Sequence, residues 1–174
     1  SVSMGKQAQQ TCSDLDIKYW RFLRPQWQQH EGDDWRLFSN TEGLLSALSS
    51  YQRIFLTMGQ VSSEQLLSLS PEQQIWLRTA VQPKHELPAN VTWIKAIGPF
   101  SEACELALLK QHQIQVIASK NSGGSATQEK LKVAQRLGIK VHMLKRPILE
   151  ECDKEFNDLE ASKSYLIAWF NQKS

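Results

Sequence analysis

Val116-Ile117-Ala118-Ser119-Lys120-Asn121-Ser122-Gly123-Gly124-Ser125-Ala126-Thr127 begins as an apolar run of β-formers and breaks into a polar loop with paired glycines. An amphipathic helix follows over about Thr127 to Leu137, burying Leu131, Ala134 and Leu137 and exposing Glu129, Lys132 and Arg136. Gly138 suits the left-handed position that closes a helix. Val141-His142-Met143-Leu144 then opens a second β-type run. Strand, loop, helix and strand in succession make a βαβ unit, whose crossover sets the two strands parallel.

The same rhythm extends outward. Arg53-Ile54-Phe55-Leu56-Thr57-Met58 is a compact apolar run ending at Gly59. Continuous runs of this kind, without polar alternation, belong to strands covered on both faces. Ser39 with Glu42 reads as a capping box before Leu44, Leu45 and Leu48, and Ser101 begins an acid-led helix through Leu109. A last helix over about Leu159 to Asn171, with Leu166, Trp169 and Phe170, is expected to dock on the sheet. Val81 to Pro88, with Pro83 and Pro88, reads as an extended surface connection, and Glu150 to Asp158 as an acidic solvated link. The expected fold class is α/β: a doubly wound, mostly parallel sheet in a single domain with helices on both faces. Val2 to Cys12 reads like the end of a helix running straight into the strand-like Ile17–Leu23, which is how the middle of a layer looks.

Composition narrows the function. The 174 residues carry 41% hydrophobic and 22% charged side chains with a net charge of +2, ordinary for a globular chain. That charge is too small to argue for nucleic acid or an anionic membrane. No apolar run approaches the roughly 20 residues that span a bilayer, and Ser1 to Gln10 lacks a secretory core, so the expected address is cytoplasmic. Cys12, Cys104 and Cys152 form no Cys-x-x-Cys, and the four histidines have no metal-ligand spacing, so no metal is expected. His142 reads as a satisfied core residue. No Gly-x-Gly occurs, so neither a dinucleotide fingerprint nor a Walker loop lies in this chain. No nucleophile–base constellation is visible.

In open α/β sheets ligands bind beyond the carboxyl ends of the strands. Four such ends are legible: Thr57-Met58-Gly59-Gln60, Ile97-Gly98-Pro99-Phe100, Ser119 to Thr127, and Lys145-Arg146-Pro147. Parallel strands would gather all four on one rim. In the third, paired glycines let backbone amides approach an anion without a Cβ in the way, and Lys120 adds a full charge beside Ser122, Ser125 and Thr127. The bland alternative is a tight turn with Ser125 capping the helix. Arg24-Pro25-Gln26-Trp27 offers an arginine beside a flat aromatic surface, a grip for a carboxylate or plain surface packing.

Taken together, Gly98-Pro99-Phe100, Glu105-Leu106-Ala107-Leu108-Leu109, Ser119-Lys120-Asn121-Ser122-Gly123-Gly124, Thr127, Lys130-Leu131, Ala134, Leu137-Gly138-Ile139 and Arg146-Pro147 resemble the precorrin-6A (cobalt-precorrin-6A) reductase family. Arg24-Pro25-Gln26-Trp27 and Phe55-Leu56-Thr57-Met58-Gly59 match its order and spacing upstream. The resemblance covers about Ile17 to Pro147. Gln60 and Ile97 depart from it, standing where the family usually has arginines.

The resemblance implies a Rossmann-like C-terminal half of an oxidoreductase of cobalamin biosynthesis, transferring a hydride from NADPH to precorrin-6A or cobalt-precorrin-6A. The cofactor would be held mainly by an N-terminal half outside this chain. Residues 1–16 would be the tail of that half, 17–149 the Rossmann-like domain, and 150–174 its acidic link and last helix. Cofactor or substrate contacts are expected at Arg24, Thr57, Gly59, Gly98, Pro99, Phe100, Lys120, Asn121, Ser122, Gly123, Gly124, Thr127 and Arg146. No catalytic acid is assigned. The alternative, from a different class, is a stand-alone α/β anion-binding module without catalysis.

Overall fold

The structure is a computed structural model that describes residues 2–95, 100–124 and 127–172. Its elements in chain order are α1 (Val2–Asp14), β1 (Trp20–Phe22), β2 (Trp35–Phe38), α2 (Thr41–Ser46), β3 (Arg53–Thr57), α3 (Ser63–Leu67) and β4 (Gln74–Thr79), followed by β5 (Val91–Lys95), α4 (Glu102–Gln111), β6 (Val116–Lys120), α5 (Glu129–Leu137), β7 (Lys140–Leu144), β8 (Lys154–Phe156) and α6 (Leu159–Asn171). They form two compact units, Gln26–Arg146 and a smaller one assembled from Ser1–Pro25 with Pro147–Ser174.

The larger unit holds a six-stranded sheet in the order β2-β7-β6-β3-β4-β5, with every neighbouring pair parallel. Successive strand residues point to opposite faces, and both faces are buried. Ile54, Leu56, Ile75, Leu77, Val116 and Ala118 pack with Leu44, Leu45 and Leu48 of α2 and Leu66 of α3. Phe55, Trp76, Ile117, Val141 and Met143 pack on the other side with Leu109 of α4 and Leu131, Val133 and Ala134 of α5. Each of these large side chains contributes roughly 1.5–3 kcal/mol by leaving water. The doubly wound parallel sheet is the one the apolar runs predict.

The order of strands also locates a switch point. From β3 the chain moves through β4 to β5 at one edge. It then returns to β6 beside β3 and moves the other way to β7. Connections leaving β3 and β6 therefore part in opposite directions, the arrangement beside which ligands bind in open α/β sheets.

Several local expectations change. Asn40, not Ser39, caps α2: its backbone is extended and its side chain accepts from the Gly43 N–H at 2.7 Å. A true capping box sits one helix later, between Ser62 and Gln65. Ser101 caps α4 and Gly138 closes α5 at φ 65°, both as expected. The strands β2 and β4 are absent from the runs named above. β4 is buried from Ile75 to Thr79 although it carries Arg78, and an arginine in an apolar run masks a core strand.

In the smaller unit β1 pairs with β8 in parallel, Trp20 opposite Lys154 and Phe22 opposite Phe156. The run Ile17–Leu23 thus supplies a strand, but to this two-stranded sheet and not to the six-stranded one. Glu150–Asp158 is more than a solvated link. It contains β8, its Asp153 accepts from the Tyr19 N–H at 2.7 Å, and its Glu155 accepts from Arg21 at 2.7 and 3.0 Å. Helix α6 docks here, with Tyr165 and Trp169 edge-on to Trp20 at 5.3 and 5.1 Å between ring centroids.

Candidate site at the carboxyl edge of the parallel sheet

Thr57 stands opposite Ser119 in the β3–β6 register, and its hydroxyl donates to the Ala118 carbonyl at 3.2 Å. Gly59 follows at φ 79°, and a Cβ added there would lie 3.8 Å from Lys120 Nζ. The β3 and β6 loops therefore adjoin at the switch point. The β7 loop joins them: the Asn121 N–H donates to the Leu144 carbonyl at 3.0 Å, and Arg146 donates to the carbonyls of Asn121 (3.3 Å) and Ser122 (2.9 Å). Three of the four expected loops share one rim. Gly98 and Pro99 of the fourth, with Ile97, lie outside the described residues; Phe100 lies against Arg78.

The Lys120–Gly124 loop has a one-sided polarity. Four of its five carbonyls accept from donors of the protein: Ser122 N–H and Ser119 Oγ on Lys120, Arg146 on Asn121 and Ser122, and the Trp27 indole N–H on Gly124 at 2.7 Å. At its exit Lys130 Nζ donates to the Thr127 carbonyl at 2.8 Å. Among the described residues, no carbonyl accepts from the N–H of Gly123 or Gly124. Both glycines adopt the left-handed region, φ 68° and 78°, which only glycine enters without strain. Gly124→Ala should therefore cost about 1–2 kcal/mol of stability, readable as a lower urea midpoint; an unchanged midpoint would argue that the loop relaxes freely. In the same loop Lys120 is exposed, Gly124 is half-buried and Gly123 is buried. Two backbone donors that no carbonyl takes and a cation in the same loop suit a carboxylate or phosphate.

The other expected contacts fall in place differently. The Asn121 side chain is engaged within the protein, accepting from the Trp27 N–H and donating to the Trp27 carbonyl, each at 2.9 Å. Arg146 braces the loop through the two bonds already given. Arg24 is exposed and belongs to the smaller unit. Trp27 is no open platform: it is 6% exposed, and the Lys130 ammonium lies 4.6 Å from its ring centroid.

Three buried charged residues, Arg78, Glu105 and Lys130, were given no site role by the sequence. Arg78 at the end of β4 makes a bidentate pair with Glu105 of α4, at 2.5 and 3.3 Å, and both are buried. The guanidinium also stacks on Phe100 and Phe55, at 4.0 and 4.7 Å from their centroids. Lys130 is 3% exposed. Burial, then the neighbouring Arg78 charge, push its pKa down from 10.5 to about 7, with Glu105 opposing. Helical spacing held the signal: Lys130 lies on the stripe of Ala134 and Leu137, and Glu105 on that of Leu109. His142 is buried as expected, against Phe38 and Tyr51, but it is not satisfied, because its Nδ1 has no partner among the described residues. Burial pushes its pKa down, and Arg36 and Lys140 add to the effect against Asp34.

The Val81–Pro88 connection carries bends at Val81, Lys84 and His85 and is not featureless. With the β3 loop it encloses a cleft of about 480 Å³ lined by Gln60, Ser62, Thr79, Gln82, Lys84 and His85. His85 Nε2 reaches the Val61 carbonyl at 3.0 Å and holds the connection in place. No helix among the described residues is long and apolar enough to cross a membrane.

Residues 1–166 match the family described as Precorrin-6x reductase CbiJ/CobK. The chain belongs to this family. A precorrin-6A reductase of Sinorhizobium sp is 38% identical over 143 residues, covering 77% of this chain and 54% of the relative. One from Rhodococcus erythropolis is 34% identical over 149 residues, covering 84% and 57%. A solved structure of CobK precorrin-6A reductase superposes with a TM-score of 0.85 at 26% identity, covering 95% of this chain and 66% of that one. This family member thus spans a little over half the length of the curated relatives it matches.

Proposed function

We propose that this chain supplies the substrate-facing half of an NADPH-dependent precorrin-6A or cobalt-precorrin-6A reductase of cobalamin biosynthesis, an oxidoreductase of the cytoplasm. The observation that supports this most is the meeting of Gly59 with the Lys120–Gly124 loop at the switch point of a parallel sheet. The macrocycle carries many acetate and propionate carboxylates. The Gly123 and Gly124 amides and Lys120 suit such a group, with Thr57, Gly59 and Thr127 alongside and Arg146 and Asn121 shaping the loop. Phe100 would border the ring.

The residues present fit an anionic group and not a whole dinucleotide, because the chain has no Gly-x-Gly turn. The cofactor and the hydride step are therefore assigned to the complete two-part enzyme, with this half placing the acceptor. Large exposed apolar side chains in the smaller unit, among them Ile17, Phe22, Leu159, Ile167 and Phe170, are what a further part of such an enzyme would cover.

The expected outcome for this chain alone is binding of a polycarboxylate tetrapyrrole without consumption of NADPH when precorrin-6A is added. Robust turnover by these residues alone would overturn the half-enzyme reading. Lys120→Ala should weaken tetrapyrrole binding about tenfold or more, the usual effect of losing a charged hydrogen bond, measured by fluorescence titration; wild-type affinity in that variant would remove Lys120 from the site. A stand-alone anion-binding module remains a second reading, favoured by the loop being built within Gln26–Arg146. It is distinguished by anion affinity that no tetrapyrrole improves.

A further inference from the structure

We infer that Lys130 is a positioning residue: acting through the Trp27 indole and the Thr127 carbonyl, its buried ammonium holds the Lys120–Gly124 loop in its ligand-binding conformation. This rests on the anion-binding reading above and assigns a task to a residue that cannot itself touch the ligand, being 3% exposed.

The contacts form a connected set. Trp27 grips both ends of the loop, exchanging two backbone hydrogen bonds with the Asn121 side chain and donating its indole N–H to Gly124. Lys130 lies on the face of that same indole and binds the carbonyl at the loop's exit. A cation on the π face strengthens the indole N–H as a donor to Gly124. It also orients the Thr127 peptide. From β4 and α4 the charged groups around the ammonium are Arg78 and Glu105, which pair with each other. Their charges cancel, so the Lys130 charge is the net buried charge beneath the loop. In a dry interior that charge raises the potential felt by an incoming anion. A methionine would fill the same space and supply neither effect.

Burial and Arg78 bring the Lys130 pKa to about 7 against the pull of Glu105, so the charge is lost as pH rises through neutrality. The anion loop should therefore work better on the acid side. Lys130→Met should abolish that dependence.

The test follows the amide NMR signals of Gly123 and Gly124 in the wild-type chain and in Lys130→Met. The probes are propane-1,2,3-tricarboxylate and, separately, inorganic pyrophosphate, titrated at about pH 6 and about pH 8.5. Wild type is expected to bind the tricarboxylate about tenfold more tightly at the lower pH, and Lys130→Met to bind about tenfold more weakly there with no pH dependence. The variant should be folded and no less stable, which separates positioning from a merely structural role. If Lys130→Met matches wild type in affinity and in pH profile, the inference fails while the anion loop stands. If neither ion moves these amides in the wild type, both fall together. Preference for the tricarboxylate marks a substrate carboxylate as the ligand, and preference for pyrophosphate marks a cofactor phosphate; either is consistent with the positioning role.

Discussion

Glu105→Ala is expected to lower the free energy of unfolding by about 3–5 kcal/mol, measured by urea denaturation. Removing the carboxylate strands the Arg78 guanidinium in a site where it is 8% exposed, between Phe55 and Phe100 and close to a second cation, Lys130. Most of the loss is the cost of an unpaired buried charge, and little of it is the strength of the pair itself. Replacing both partners, Arg78→Met with Glu105→Leu, should therefore recover most of the stability. A single variant that unfolds like the wild type would mean that water reaches this pair. The double variant is also expected to loosen Phe100, because its ring loses the guanidinium it rests on.

The second large effect is a dependence of stability on pH traced to Lys130. In the folded chain its pKa falls to about 7, whereas the unfolded chain keeps the ordinary 10.5. Below pH 7 both states hold the proton, and the folded state bears the cost of a buried charge. Between the two values the unfolded state binds the extra proton, so stability rises with pH, and above 10.5 the gain is complete. At about 1.4 kcal/mol per pH unit the difference accumulates to about 5 kcal/mol. Other groups titrate over the same range, so the clean observable is wild type minus Lys130→Met. That difference should rise steeply from pH 7 upward, with the variant more stable than wild type at pH 6. A flat difference curve would show that Lys130 is not the group responsible.

What the sequence revealed follows from how each signal is written. The runs at Arg53–Met58, Val116–Ala118 and Val141–Leu144 are buried on both faces, so their strands are legible as unbroken apolar stretches. β4 carries a charge whose partner sits 27 positions away, and no local pattern announces such a pair. The loop of Lys120 to Gly124 could be named because glycine pairs and a strand–helix junction are local features. Its inward clamp could not, because Trp27 and Asn121 are 94 positions apart. For Arg146 likewise, sequence gives its charge and not the carbonyls of Asn121 and Ser122 that it meets. Asn40 took the capping role from Ser39 because a capping side chain must stand three residues before the N–H it accepts from, here that of Gly43.

The β1–β8 pairing has a temporal consequence. Arg21 meets Glu155 across 134 positions of chain, so the smaller unit closes only after the whole of Gln26–Arg146 has been made. At ribosomal speeds of about 5–20 residues per second, Trp20 and Phe22 wait on the order of ten seconds for their strand partner. During synthesis the inserted sheet is free to fold first, and the segment before it is then an unpaired edge that chaperones or a neighbouring nascent chain can reach.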